Sequence, residues 1–164
     1  MISKRHVLVL IFFVPCIVIC AQKKTCINMV IKLRPIENYR GKLKNCTVSI
    51  LENNAVILKS ELKGYKFKKK LTSRSVYKII FEKEQFVSKH IIVNTASIPN
   101  ERKINQKLKA DISLFKSKNE FKTDFLEKEP ISIGYYNELK EEVIWDFEYN
   151  RSMVEKIIHT MTKE

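Results

Sequence analysis

Few residues in this sequence have the types and spacing that enzyme chemistry requires. Its histidines are His6, His90 and His159. None of them lies in an HExxH motif, and the chain has no EF-hand loop or Gly-rich phosphate loop. Two acidic pairs fall in polar stretches typical of solvated turns, Glu127 with Glu129 and Glu141 with Glu142. Because no nucleophile, base and orienting group are brought together by any pattern, we expect no enzyme activity, no cofactor and no metal site.

The excess of positive charge is a clearer chemical feature of the sequence than its histidines and acidic pairs. The 164 residues include 31 Lys and Arg against 18 Asp and Glu, a formal net charge of +13. Six cations fall within twelve residues: Lys63, Lys66, Lys68, Lys69, Lys70 and Arg74. Such a stripe attracts anionic partners through its long-range potential.

The stripe supplies candidate contacts to an anionic glycan or lipid surface: Lys63, Lys66, Lys68, Lys70 and Arg74. An envelope protein is the other kind of partner that we consider. Nucleic acid is not expected, because its binders usually interleave Arg and aromatic residues, and this chain has 25 Lys against 6 Arg. A general preference for Lys is the alternative explanation, since Lys on an outer strand also hinders edge-to-edge aggregation.

The first 21 residues are predicted to be a secretory signal peptide. Lys4 and Arg5 precede an unbroken apolar run over residues 7–21, and a polar stretch begins at Gln22. A spanning helix needs roughly 20 apolar residues, more than this run provides. The alternatives are a lipoprotein acylated at Cys20 and an uncleaved anchor. We therefore expect an exported protein that is periplasmic, outer-membrane-associated or secreted, with membrane contact only through this segment or a lipid.

Two cysteines stay in the chain after such processing, Cys26 and Cys46. Export would place them where a disulfide persists. Cys46 is in phase with Val48 and Ile50 and should face inward, whereas Cys26 is out of phase with the apolar residues that follow it. The sequence thus predicts two structural cysteines and leaves a disulfide between them open.

The mature chain shows the alternation of half-buried strands over residues 22–117. The apolar residues repeat at every second position in stretches separated by turn-forming residues: 25–34, 47–51, 56–62, 64–71, 76–82, 86–94 and 108–115. Asn53 and Asn54 predict a hairpin turn between the second and third of these stretches. Strands at this spacing, without a helical pattern between them, indicate an antiparallel sandwich or barrel. We therefore expect a mainly β domain of about seven strands.

Residues 118–164 are predicted to form an extension that packs on this domain. Residues 131–136 and 143–147 could pair as a hairpin. Ser152 and Glu155 fit a capping box and predict that a short amphipathic helix begins there. Its expected buried side chains lie at helical spacing: Val154, Ile157 and Ile158.

Several segments follow one another in an order that is found in a known family. They are Gly41-Lys-Leu-Lys-Asn-Cys-Thr-Val-Ser-Ile50, Gly64-Tyr-Lys-Phe67 with Leu71, Tyr77-Lys-Ile-Ile-Phe81, and Phe86-Val-Ser-Lys89. Together they resemble the carboxypeptidase regulatory-like family over about residues 26–95. The sequence departs from the family pattern at Gln85, where a Gly usually precedes the aromatic residue, and at Glu61-Leu-Lys, which replaces an acidic-Gly turn.

The resemblance implies a transthyretin-like or Ig-like sandwich that binds or scaffolds without catalysis. Residues 130–136 and 146–149 are similar to the ends of short exported Bacteroidota proteins. We therefore expect a non-catalytic binding or scaffold module of the bacterial cell envelope. The alternative is a secreted adhesin or glycan-binding module with exposed loop aromatics: Tyr39, Tyr135, Tyr136 and Trp145.

Overall fold

The structure is a computed structural model that describes residues 26–36, 41–100, 102, 104–117 and 122–162. The elements are β1 (Cys26–Pro35), β2 (Cys46–Glu52), β3 (Ala55–Leu62), β4 (Lys66–Thr72), β5 (Val76–Glu82), β6 (Lys89–Asn94), β7 (Asn105–Leu114), α1 (Phe125–Lys128), β8 (Ser132–Asn137), β9 (Glu142–Trp145) and α2 (Phe147–Thr162). The predicted signal peptide and Cys20 lie outside the described residues. Within the described part of the chain, no helix is long and apolar enough to cross a membrane.

The strands form two sheets. The three-stranded sheet has the order β4-β1-β7, and the six-stranded sheet has the order β3-β2-β5-β6-β8-β9. The prediction of a mainly β sandwich with a C-terminal hairpin and helix is confirmed. Seven of the nine strands in the described chain are those predicted for the sandwich, and the predicted hairpin supplies the other two, β8 and β9, which join the larger sheet through β6. The boundary between the sandwich and an extension at residue 117 stays a prediction.

Among the seven strand pairings of the described residues, two are parallel, which differs from the antiparallel arrangement expected. They join β1 to β7 and β6 to β8. Parallel neighbours need a connection of a dozen or more residues between them. The chain supplies such connections, because β2–β6 separate the first pair and β7 with α1 separates the second.

The two sheets enclose one hydrophobic core between them. The alternate residues of β1 predicted to face inward are buried, with exposed fractions of 0–1%: Ile27, Met29, Ile31 and Leu33. The six-stranded sheet faces them with side chains of the same kind, including Val48, Ile50, Ile79, Phe81 and Val93. Full burial of one such side chain is worth about 1.5–3 kcal/mol, so this shared core accounts for the pairing of the sheets.

The hairpin between β2 and β3 turns at Asn53 and Asn54, as the sequence predicted. Their φ angles are 48° and 69°. A two-residue turn of the primed type needs positive φ at both central residues, and Asn tolerates this conformation better than most residues.

Side chains close one side of the sandwich between the edge strands β7 and β9. The Gln106 amide accepts a hydrogen bond from the Val143 N–H at 2.7 Å and donates one to the Val143 carbonyl at 2.6 Å. The Trp145 indole Nε1 donates to the Lys109 carbonyl at 2.8 Å. These bonds satisfy backbone groups on both edges and hold the two sheets in register along this side.

The C-terminal helix begins earlier than the sequence predicted. It starts at Phe147, and the Asp146 carboxylate accepts a hydrogen bond from the Tyr149 N–H at 3.0 Å. Asp146 is therefore the N-terminal cap, and Ser152 is an exposed residue inside the helix. The capping-box prediction was wrong because Asp146 offers the same kind of acceptor six residues earlier.

The buried side of α2 is also different from the one expected. Ile157 is buried as predicted, and Met153 is buried with it, whereas Val154 and Ile158 are 53% and 54% exposed. Met153 and Ile157 pack with Phe115 and Leu126 in a second, smaller cluster. The Lys156 ammonium binds the Glu129 carboxylate at 2.6 Å, which ties α2 to the end of α1. The helix thus docks on α1 and on the end of β7.

Candidate functional site

The central part of the lysine stripe lies on β4, an edge strand of the three-stranded sheet. Lys66, Lys68 and Lys70 are exposed, whereas Phe67 and Leu71 are buried. Successive side chains of a strand point to opposite faces, so the three lysines lie on the outer face of the sheet. This arrangement is the one expected from the sequence.

The other cations of the stripe lie away from that face. Lys69 is half-buried, in phase with the inward residues of β4. Lys63 and Arg74 are exposed in the bends before and after β4, where the chain crosses between the two sheets. Lys63 and Arg74 therefore lie beyond opposite ends of β4, outside the extended segment that carries the other lysines.

Neighbouring strands add cations that were missed in the sequence. In the sheet register, Lys68 of β4 and Lys109 of β7 lie on either side of Val30 of β1. The outer face of the three-stranded sheet carries seven cations, which we call the basic face: Lys32, Arg34, Lys66, Lys68, Lys70, Lys107 and Lys109. Adjacent strands are about 4.8 Å apart, so the lysine rows of β4 and β7 run about 10 Å apart.

One carboxylate lies among these cations in the described strands. Asp111 accepts a hydrogen bond from the Arg34 guanidinium, with Nε and Oδ2 3.0 Å apart. This pair offsets the charge at one corner of the basic face and leaves six lysines in excess, five of them exposed. The face can therefore make several contacts with an extended anionic surface at the same time.

Tyr65 lies at the end of the basic face where β4 begins. The ammonium groups of Lys42 and Lys66 are 5.1 and 5.3 Å from the centroid of its ring. A hydrogen bond with Lys66 lowers the pKa of the Tyr65 phenol, and the charges of Lys66, Lys42 and Lys32 also lower it. Tyr65 thus lies within a group of positive charges at this end of the basic face.

The outer face of the six-stranded sheet has a different charge balance. By strand register, its outward charged residues are Lys59, Lys78, Glu61, Glu82 and Glu142. Two cations are thus accompanied by three carboxylates. The excess positive charge of the described strands is concentrated on the basic face.

His90 lies on the outer face of β6 beneath α1. The residue is 3% exposed, and it shares a cleft of about 220 Å³ with Ser88, Glu82 and Glu127. Burial and the charge of Lys78 lower the pKa of the imidazole to about 4, which makes it a weak base. Among the described residues, no hydrogen bond joins this imidazole to Ser88 or to a carboxylate. The cleft therefore has the residue types of a triad without its connections, and absence of enzyme activity stays a prediction.

His159 and the second acidic pair do not line that cleft, and all three residues are exposed. His159 is exposed in the last turn of α2. Glu141 binds Arg102, and Glu142 begins β9. No group of three or more His, Cys, Asp or Glu that could hold a metal ion occurs among the described residues.

Cys46 is buried and faces the core, as its phase predicted. It is a free cysteine in this structure, and its thiol donates to the Lys44 carbonyl at 3.8 Å. Burial raises the pKa of the Cys46 thiol, although the charge of Lys83 opposes the shift. Cys26 begins β1 in the other sheet. The two cysteines are thus on strands of different sheets, and the disulfide between them, which the sequence left open, is not predicted.

The aromatic residues considered as an exposed cluster are distributed differently. Tyr39 lies outside the described residues. Tyr135 is 37% exposed, whereas Tyr136 is 6% exposed and belongs to the core. Trp145 is half-buried in β9. The expectation of exposed loop aromatics is therefore wrong for Tyr136 and Trp145, because both lie in strands whose inner sides face the core.

Comparison of the chain with protein-family models and with curated proteins gives no match.

Proposed function

We propose that this protein is an exported, non-catalytic β-sandwich that binds an anionic surface of the bacterial cell envelope through its basic face. The observation that carries this proposal is the unequal charge of the two outer sheet faces. A general preference for Lys would enrich both faces alike. The outer face of the three-stranded sheet has seven cations and one carboxylate, and that of the six-stranded sheet has two cations and three carboxylates.

The geometry of the basic face suits a surface better than a small ligand. Its exposed lysines lie in two rows along β4 and β7 and do not surround a cavity. A Lys near an anionic lipid surface is worth about 1 kcal/mol, so several together give firm binding at low salt. Anionic glycans present the same kind of repeated charge.

The resemblance to the carboxypeptidase regulatory-like family supports the non-catalytic part of the proposal. That family implies a sandwich, and the fold is a sandwich of two sheets. Gln85 replaces a Gly of the family pattern, and its φ is 65°, a conformation that glycine adopts easily. The backbone at this position thus has the form that the family's Gly would favour.

The export part of the proposal is supported by the basic and apolar segments that precede β1 in the sequence. A glycan-binding module with exposed aromatics is less well supported, since Tyr135 is the exposed member of that group in the described chain.

The experiment compares binding to vesicles of phosphatidylcholine alone and to vesicles that also contain phosphatidylglycerol. The protein used begins at Gln22, which retains every described element. We expect it to sediment with the anionic vesicles and not with the neutral ones. Raised salt should release it, because the Debye length falls from about 10 Å at 0.1 M to about 3 Å at 1 M. An immobilised anionic polysaccharide in a parallel measurement tells a glycan from a lipid surface.

A matched pair of variants tests the face itself. Lys66→Gln, Lys68→Gln and Lys70→Gln together should weaken binding about 100-fold, from about 1 kcal/mol for each charge. The control replaces three exposed lysines elsewhere by Gln: Lys59, Lys128 and Lys140. The net charge is equal in the two variants. Equal loss of binding in both would show that net charge alone is responsible and would contradict the proposal.

A further inference from the structure

A groove of about 510 Å³ lies between β7 and α2. One wall is residues 109–113 of β7. The other wall is formed by α2: Asn150, Val154, Ile157 and Ile158. Trp145 Nε1 binds the Lys109 carbonyl at 2.8 Å at one end, and Lys89 Nζ binds the Ser113 carbonyl at 2.7 Å at the other. Four strand residues separate these carbonyls by about 13 Å. We name this space the β7–α2 groove.

Lys89 places a positive charge at one end of the groove. The residue is 4% exposed and in phase with Ile91 and Val93, so it points between the sheets. Its ammonium lies 4.4 Å from the centroid of the Phe115 ring and donates to the Ser113 carbonyl. An ammonium has three donors, and no carboxylate of the described chain forms an ion pair with this one. Buried charges are normally paired, so a carboxylate bound beside this ammonium would supply the missing partner.

The ammonium keeps its charge under ordinary conditions. Burial lowers the pKa of Lys89 to about 8, which leaves most of it protonated at neutral pH. A bound carboxylate would favour the charged form and raise that pKa again.

The rest of the groove is mainly apolar. Ile112, Ile131 and Ile157 line it, and Val154 and Ile158 stand 53% and 54% exposed at its rim. Large apolar side chains gathered around a concave surface are typical of a ligand site. The Asn150 Oδ1 atom also lies buried in this wall without a hydrogen-bond partner in the described chain.

We propose that the β7–α2 groove binds a medium-chain monocarboxylate, with the acyl chain between β7 and α2 and the carboxylate accepting hydrogen bonds from the Lys89 ammonium. The apolar walls match the chain, and the buried cation matches the head group. This site goes beyond the proposed surface binding, because its cation is Lys89, which points into the sandwich, whereas the lysines of the basic face point outward. Lys109 of that face also borders the groove.

An extended peptide fits the same groove less well. Its amides would need partners along the edge of β7. The carbonyls of Lys109 and Ser113 already accept hydrogen bonds from Trp145 and Lys89. Between these two positions, only Asp111 is left on that edge to pair with a peptide. An acyl chain has no amides that need such partners.

The test is calorimetric titration of the chain from Gln22 with three ligands of equal chain length: decanoate, decanol and decyltrimethylammonium. Decanoate should bind with a stoichiometry of one and at least tenfold more tightly than the other two. A hydrogen bond to a charged group is worth about 1.5–3 kcal/mol, which is about 10- to 150-fold in affinity.

Three variants assign the binding to the groove. Lys89→Met keeps an apolar side chain of similar length and should remove the preference for decanoate over decanol. Lys68→Met removes a charge from the basic face and should leave decanoate binding unchanged. Ile158→Glu puts a carboxylate at the rim, at an exposed position that tolerates it, and should weaken decanoate binding at least tenfold while the thermal unfolding curve stays that of a folded protein.

Several results would overturn the proposal. They are equal binding of the three ligands, unchanged decanoate binding by Lys89→Met or by folded Ile158→Glu, and loss of decanoate binding in Lys68→Met. Tighter binding of acetyl-Ala-Ala-Ile than of decanoate would identify a peptide carboxylate as the occupant instead. None of these results depends on vesicle binding, so this site and the basic face are tested separately.

Discussion

The two sheets of this protein are alike on the inside and different on the outside. Their inner faces contribute the same kinds of fully buried aliphatic side chains to one core, such as Ile31 from β1 and Ile79 from β5. The outer face of the three-stranded sheet is basic, whereas that of the six-stranded sheet has balanced charge and holds His90 beneath α1. A core requires only apolar side chains of suitable volume. The functional difference between the sheets therefore lies in the outward-facing residues of each strand.

The largest expected effect is on the free energy of unfolding, and it tests whether the inner faces of the two sheets form one cooperatively folding unit. Ile31→Ala and Ile79→Ala each remove a side chain with 0% exposure, from different sheets. Each should lower the free energy of unfolding by about 2–5 kcal/mol, through lost burial and the cavity that is left. Urea unfolding followed by circular dichroism and by the fluorescence of Trp145 should give coincident transitions in both variants.

The control for that experiment is Val56→Ala, at a residue that is 64% exposed. Its effect should stay within about 0.5 kcal/mol. If Ile31→Ala shifted the dichroism transition and left the Trp145 transition in place, the sheets would be separate folding units and the comparison would fail.

A smaller effect should arise from the outer face of the six-stranded sheet, through His90. Its pKa is about 4 in the folded protein and near its ordinary value of 6.5 in the unfolded chain. Above pH 6.5 the His90 imidazole is neutral in both the folded and the unfolded chain, so it has no effect on the pH dependence of stability. As the pH falls from 6.5 to 4, the unfolded chain binds the proton first, so the folded state loses stability. The loss is up to about 3 kcal/mol.

Urea unfolding of the native protein and of His90→Gln at pH 7 and at pH 4.5 measures this loss. The variant should lose less stability than the native protein between the two pH values. His159→Gln, at an exposed helix position, should behave like the native protein. A pH dependence that is the same with and without His90 would contradict the assignment.

The smallest expected effect on stability comes from the segment that links the six-stranded sheet to the end of β7. The Gln85 carbonyl accepts a hydrogen bond from the Ser117 N–H at 2.8 Å, and φ of Gln85 is 65°. A non-glycine residue in this conformation costs about 1–2 kcal/mol, and glycine loses about 0.5–1 kcal/mol more entropy on folding. Gln85→Gly should therefore raise the free energy of unfolding by about 0.5–1 kcal/mol.

The control is Glu84→Gly at the neighbouring exposed residue, which has no positive φ. It should lower stability slightly, because only the entropic loss applies. Chemical unfolding of both variants decides the point, and a Gln85→Gly protein no more stable than the native one would contradict the argument from backbone conformation.

The strands could be predicted closely because their signal is local. The alternation of β1 and of β4 fixed which residues face inward, and the Asn53-Asn54 turn was visible in the sequence. The basic face was recognised only in part. The lysines of β4 are close together in the sequence, whereas Lys32 and Lys109 come from strands that are far away in the chain.

The C-terminal helix was also predicted only in part. Its apolar residues form a stripe wider than a single contact requires, so the pattern alone predicts an amphipathic helix but not its buried half. Docking on α1 and on Phe115 selects Met153 and Ile157. Val154 and Ile158 then lie at the rim of the β7–α2 groove.

By itself the sequence determined the class of fold, the inward and outward residues of most strands, and the excess of positive charge, because each follows from local alternation or from composition. Only the tertiary structure decided that β1 lies between β4 and β7, that their lysines share one face, and that Lys89 points into a groove beside α2. The physical reason is that strand pairing and helix docking join residues far apart in the chain, and many pairings satisfy the same local pattern.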